Sequence, residues 1–118
     1  MVVYWITKTL GVKGASDELS PEDYGSIIVD LRDITDGKNE DSRVIADTVI
    51  KVFKILAFNY RVILQCQAGI SRSPAFAALL FVYGNRMYWD NALDLVKKNC
   101  PIMQINQDLL DQMKMMFE

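Results

Sequence analysis

A chain of 118 residues, 51% of them hydrophobic, fits one compact domain spanning 1–118 and leaves little room for a second. Its formal net charge of −2, with no block of lysine and arginine, argues against a sequence-independent grip on nucleic acid. There is no histidine, and the two cysteines, Cys66 and Cys100, are far apart, which excludes a disulfide framework, a zinc site and any imidazole general base.

In chain order, Val2 to Thr7 is β-branched and aromatic and predicts an opening strand. It has neither the basic flank nor the small-residue cleavage site of a signal peptide. Gly11 and Gly14 read as punctuation after it. Ser20-Pro21-Glu22-Asp23 carries the cap, first-turn proline and acidic residue of a short helix start. Ile27 to Leu31 is mostly apolar and predicts a central strand. Arg32 to Asp41, with Asp33, Asp36-Gly37 and Asp41, is polar and predicts a loop, with Asp41 or Ser42 as the cap of the next helix.

Ile45, Val49, Val52, Phe53 and Leu56 then fall at helical spacing between Ser42 and Ala57. After a turn at Asn59-Tyr60, Arg61 to Gln65 predicts a second buried strand. A glycine-containing loop leads into a helix over Ser73 to Tyr83. Amphipathic helices fit Asp90 to Lys98 and Gln107 to Phe117, where Met113, Met115 and Met116 are expected to pack or cover a face. Strands alternating with helices predict an α/β domain with a mostly parallel central sheet flanked by helices. The longest apolar run, Pro74 to Tyr83, is about half of the ~20 residues that span a bilayer. A cytoplasmic, soluble protein with no membrane partner is the resulting expectation.

The chemistry concentrates in Cys66-Gln67-Ala68-Gly69-Ile70-Ser71-Arg72-Ser73-Pro74, between a buried strand and a helix. Such a junction turns the free amides of Gln67 to Arg72 toward one point, with the positive end of a helix dipole behind them, and so makes a phosphate site. Gly69 supplies the backbone freedom that the loop needs. Pro74 suits the first turn of a helix, where no amide donor is required. The helix terminus favours a thiolate at Cys66. Arg72, six positions on, can reach back with a planar fork matched to two phosphoryl oxygens. Ser73 can donate a hydrogen bond to the departing sulfur. Nucleophile, anion cradle and clamp fit phosphoryl transfer through a cysteinyl phosphate, with no metal and no cofactor.

Cys66 to Ser73 matches the C-x5-R-[ST] signature, and the chain resembles the dual-specificity members of the cysteine-based protein tyrosine phosphatases, in a minimal version. Ile6 to Gly11 and Ile27 to Leu31 are similar to that family's opening strands. Ala92 to Lys97 resembles its next-to-last helix, and Pro101-Ile102 with Asn106 to Met113 resembles its ending. The resemblance implies a protein phosphatase acting on phosphotyrosine and on phosphoserine or phosphothreonine, with a phosphorylated protein as partner. It further implies a general-acid aspartate on a mobile loop roughly thirty residues before the cysteine. Asp36 stands at that distance, beside Gly37 as a flexible point, and is preferred; Asp33 is the rival.

The sequence also departs from the family. Gln65 replaces the histidine that usually precedes the nucleophile, and it can hydrogen-bond but cannot carry a positive charge. The segment between Leu31 and Asp36 is too short for the strand usually found there. Cys100 replaces an arginine and reads as a neutral, partly buried thiol, while Ile105 replaces a proline. These departures keep a second reading open, a phosphate-binding or phosphoprotein-binding module of low or no turnover. Oligomeric state is left open.

Overall fold

The computed structural model describes residues 3–117. Its one sheet has four strands, β1 (Tyr4–Trp5), β2 (Leu10–Gly14), β3 (Ile27–Asp30) and β4 (Val62–Cys66), in the order β1-β2-β4-β3. β2 and β3 both run parallel to β4, with Val12 and Val29 opposite Leu64, and β1 joins antiparallel to β2. Four α-helices complete it: α1 (Arg43–Ala57), α2 (Arg72–Asn85), α3 (Trp89–Asn99) and α4 (Gln107–Met116).

β4 lies at the heart of the sheet. Val62, Ile63 and Leu64 are all fully buried although they alternate between faces, so both sides of this strand are covered. α2 follows directly from it and is buried from Ser73 to Phe81, packed on β2 and β4 and touched by α1, α3 and α4. A helix apolar on every side is the expected sequence for that position, and none is long and apolar enough to cross a membrane among the described residues. α1 buries Ile45, Val49 and Val52 as its spacing predicts, whereas Phe53 stays half-exposed and meets Tyr83 edge to face at 5.4 Å. On α4, Met113 is buried and Met116 packs at the core margin, but Met115 stands in solvent.

Three sequence expectations need correction. The opening strand is only Tyr4–Trp5, short of Thr7, and Val2 lies outside the described residues. Leu10–Gly14, read as glycine punctuation, is a fully buried strand. Gly11 is there because Val3 and Trp5 cover it: a Cβ would fall 2.7 Å from Val3 Cγ1. Finally, β3 is an edge strand, not a central one, and Ile28 is partly exposed on it. The short helix start at Ser20 is a single 3₁₀ turn, Pro21–Asp23. There the Ser20 amide and hydroxyl both donate to Asp23 Oδ2, while Trp5 Nε1 donates to Oδ1.

Parallel β2, β4 and β3 bring Gly14, Cys66 and Asp30 to one end of the sheet. Ligands of open α/β sheets bind beyond these carboxyl ends.

Candidate active site

Cys66 is the last residue of β4, and Arg72 the first of α2; the five residues between them form the loop. The Ser73 amide donates to Cys66 Sγ at 3.4 Å, so the sulfur lies over the start of α2. Cys66 is 2% exposed, yet it lines a cleft of about 250 Å³ together with Gln67, Ala68, Ile70, Ser71, Arg72 and Asp36. Gln104 and Asn106, ahead of α4, complete the wall. Gly69 and Ser73 sit behind the loop, both buried. The Ser73 hydroxyl is fully buried and has no hydrogen-bond partner among the described residues.

The loop over 32–41 carries Asp36 to the cleft, and hydrogen bonds hold it from several sides. Arg72 Nη1 donates to the carbonyls of Arg32 (3.0 Å) and Ile34 (2.9 Å). The Ser71 hydroxyl donates to Asp36 Oδ1 at 2.6 Å. Inside the loop, buried Asn39 accepts from the Thr35 amide and donates to the carbonyls of Thr35 and Gly37. From α4, Gln112 accepts the Asn39 amide at 2.7 Å and donates to the Asn39 carbonyl at 2.9 Å. Asp33 is exposed and does not line the cleft. Asp41 accepts from the Arg43 amide just ahead of α1, while Ser42 holds the N-cap position without a side-chain capping bond.

No protein-family model matches the chain, and no curated protein matches it in sequence. Solved structures do match in fold. Human DUSP28 superposes with a TM-score of 0.82 at 16% identity, covering 96% of this chain and 93% of that one. The human tyrosine phosphatase-like serine/threonine/tyrosine-interacting protein gives 0.80 at 17% identity, covering 98% and 95%. A leucine-rich-repeat and phosphatase-domain protein from Entamoeba histolytica gives 0.79 at 16%, covering 97% and 89%.

The fold is that of the dual-specificity phosphatases. Within this phosphatase fold the departures noted in the sequence acquire a structural setting. Gln65 lies in a row across the sheet, opposite Lys13 on β2 and Asp30 on β3. The Arg32 guanidinium first, and the Gln65 amide with it, hold the Asp30 carboxyl below its usual range. Lys13, which the sequence did not single out, is buried, and its Nζ donates to the Gly14 carbonyl (2.8 Å) and the Asp17 carbonyl (3.0 Å). Between Leu31 and Asp36 there is a turn closed by Ile34 N–H to Leu31 O, and the Arg72 guanidinium caps it. Cys100 is fully buried, and that burial raises its pKa above the ordinary thiol value, keeping it neutral.

Gly69 is required where it stands. Its φ of 77° lies in the left-handed region, and a Cβ would fall 2.5 Å from the Gly14 nitrogen. Gly14 is bare for the reciprocal reason, with the Ala68 carbonyl carbon 2.9 Å from its missing Cβ. The end of β2 and the loop between β4 and α2 thus touch backbone to backbone. Gly69→Ala is expected to cost roughly 2–4 kcal/mol, from left-handed strain plus the clash, and to weaken phosphate binding. Urea unfolding and phosphate titration of the variant check both effects.

Proposed function

We propose that this protein is a phosphatase hydrolysing phosphotyrosine and phosphoserine or phosphothreonine in proteins, through a cysteinyl-phosphate intermediate. The observation that carries the reading is one small cleft lined by a cysteine, an arginine and an aspartate, together with residues of the strand-to-helix loop that joins Cys66 to Arg72. In the first step the Cys66 thiolate attacks phosphorus and the bond to the leaving oxygen breaks. Asp36 gives that oxygen its proton. The amides from Gln67 to Arg72 and the Arg72 guanidinium take up the charge that spreads over the phosphoryl oxygens. In the second step Asp36 accepts a proton from water, which attacks phosphorus. The phosphorus–sulfur bond breaks, and the Ser73 amide stabilises the returning thiolate. Asp36 is preferred to Asp33 because it alone of the two lines the cleft.

A cleft of about 250 Å³, below the ~300–1,000 Å³ of drug-sized pockets, suits access by short phosphorylated side chains as well as by phosphotyrosine. Loop residues Gln67, Ala68, Ile70 and Ser71 bring no lysine to it, which disfavours polyanionic substrates such as phosphoinositides. The second reading, a phosphate-binding or phosphoprotein-binding module with little turnover, is motivated by Gln65. It also draws on the likeness to a human protein named as phosphatase-like and interacting. Pre-steady-state kinetics with an aryl phosphate separates the two. A burst followed by sustained turnover, with phosphotyrosyl and phosphoseryl peptides preferred to a phosphoinositide, is expected. Stoichiometric labelling without turnover supports a binder or a stalled enzyme instead.

A further inference from the structure

We propose that Ser71 is a positioning residue that fixes which oxygen of Asp36 handles the proton, and that the segment leading into α4 holds Ser71 in place for this. The inference rests on the role of Asp36 proposed above. Ser71 is 7% exposed, and its hydroxyl is committed on both sides. It accepts from the Asn106 amide at 2.8 Å and donates to Asp36 Oδ1 at 2.6 Å. A hydroxyl has a single proton to give. With the Asn106 N–H on its acceptor side, that proton is directed to Asp36, and the distance falls in the ~2.5–2.7 Å range of strong O–H to carboxylate bonds. Oδ2 has no partner among the described residues.

This arrangement suits both halves of the reaction. In the first, Oδ1 accepts from Ser71 while Oδ2 carries the proton for the leaving oxygen. In the second, Oδ2 is bare and takes a proton from water while Oδ1 keeps the same bond. The acid need not turn over between steps. Asp36 is otherwise a side chain on an exposed, polar loop, where free rotation would scatter it over several rotamers.

The anchoring extends beyond one contact. The Gln104 amide donates to the Ile70 carbonyl at 2.6 Å, two residues before Asn106, so this segment is zipped along the phosphate loop. Asn106 then caps α4, its Oδ1 accepting from the amides of Asp108 and Leu109. The start of α4 therefore sets the position of Ser71, and Ser71 sets that of Asp36.

The test uses aryl phosphates with one good and one poor leaving group, assayed on the wild type, Ser71→Ala, Asp36→Asn and the double variant. Loss of proton donation affects the poor leaving group selectively. Ser71→Ala is expected to lose about tenfold more kcat/KM, which reports the first step, on the poor leaving group than on the good one, and to add little in the Asp36→Asn background. Ser71→Gly, which also lacks the hydroxyl, serves if the alanine variant does not fold; competitive inhibition by inorganic phosphate reports an intact loop in either. Equal losses on both substrates, or the same loss in the Asp36→Asn background, would mean a merely structural role and overturn the inference. If Asp36→Asn shows the selective loss and neither Ser71 variant does, this inference falls and the acid assignment stands. If Asp36→Asn itself shows none, the acid assignment falls and takes the inference with it.

Discussion

Cys66→Ser is expected to lower turnover by ~10⁴-fold or more, while inorganic phosphate still binds within a few-fold of wild-type affinity. The two halves of this result come from different parts of the loop. On the proposed mechanism turnover depends on the sulfur as nucleophile, and a serine hydroxyl in the same place is a weak nucleophile without an adjacent base. The chain has no histidine to act as one. Phosphate affinity depends on the amides that follow Cys66, on the start of α2 and on the Arg72 guanidinium, none of which the substitution touches. Serine is also close to isosteric, and its oxygen can take the place of the sulfur that accepts from the Ser73 amide. Steady-state kinetics with an aryl phosphate and calorimetry with inorganic phosphate read the two quantities separately. A Cys66→Ser variant that keeps full activity rules out the cysteinyl phosphate; one that loses phosphate binding as well shows that the sulfur organises the loop.

What the sequence made legible was what it encodes locally. β4, the loop and α2 are contiguous, and each carries its own signal: an apolar run, a glycine, a proline in the first turn, then an all-round apolar helix. The cysteine, the arginine and the strand-to-helix loop between them could therefore be placed in the fold from local signals alone. Leu10–Gly14 was recovered only in part, through the resemblance over Ile6 to Gly11, because its glycines serve contacts made by residues outside the strand. Gly11 makes room for Val3 and Trp5, and Gly14 for Ala68, more than fifty positions on. Strand order was equally hidden: Ile27 to Leu31 is apolar enough for a central position, yet only pairing shows that it lies at the edge, with β2 and β4 as the two inner strands. Around the site, spacing picked out Asp36 through the family resemblance. The Ser71, Asn39 and Gln112 contacts that hold its loop join residues 35 and 73 apart, and no local pattern announces them.

Arg72→Lys, conservative in charge, is expected to reduce kcat/KM by ~10²–10³-fold and also to loosen the loop that carries Asp36. The guanidinium faces two tasks at once. Its Nη1 donates to the Arg32 and Ile34 carbonyls, which fixes the base of that loop. Its remaining N–H groups are left to meet phosphoryl oxygens in a planar fork. A lysine ammonium is a single point, so it can stay with the two carbonyls or turn to the phosphate, but it cannot bridge both. The single-point ammonium holds the two carbonyls less well than the guanidinium, at an expected cost of about 1–2 kcal/mol of stability in the phosphate-free protein. Amide hydrogen exchange should then rise over 32–36 while the core of β4 stays protected. If the lysine variant loses activity with no change in exchange over 32–36, the anchoring is not part of how the arginine acts. If it keeps near-normal kcat/KM, a point charge suffices and the bidentate clamp is wrong. The combined outcome, a fall in rate together with a loosened acid loop, is the one expected from a side chain that ties the phosphate site to its proton donor.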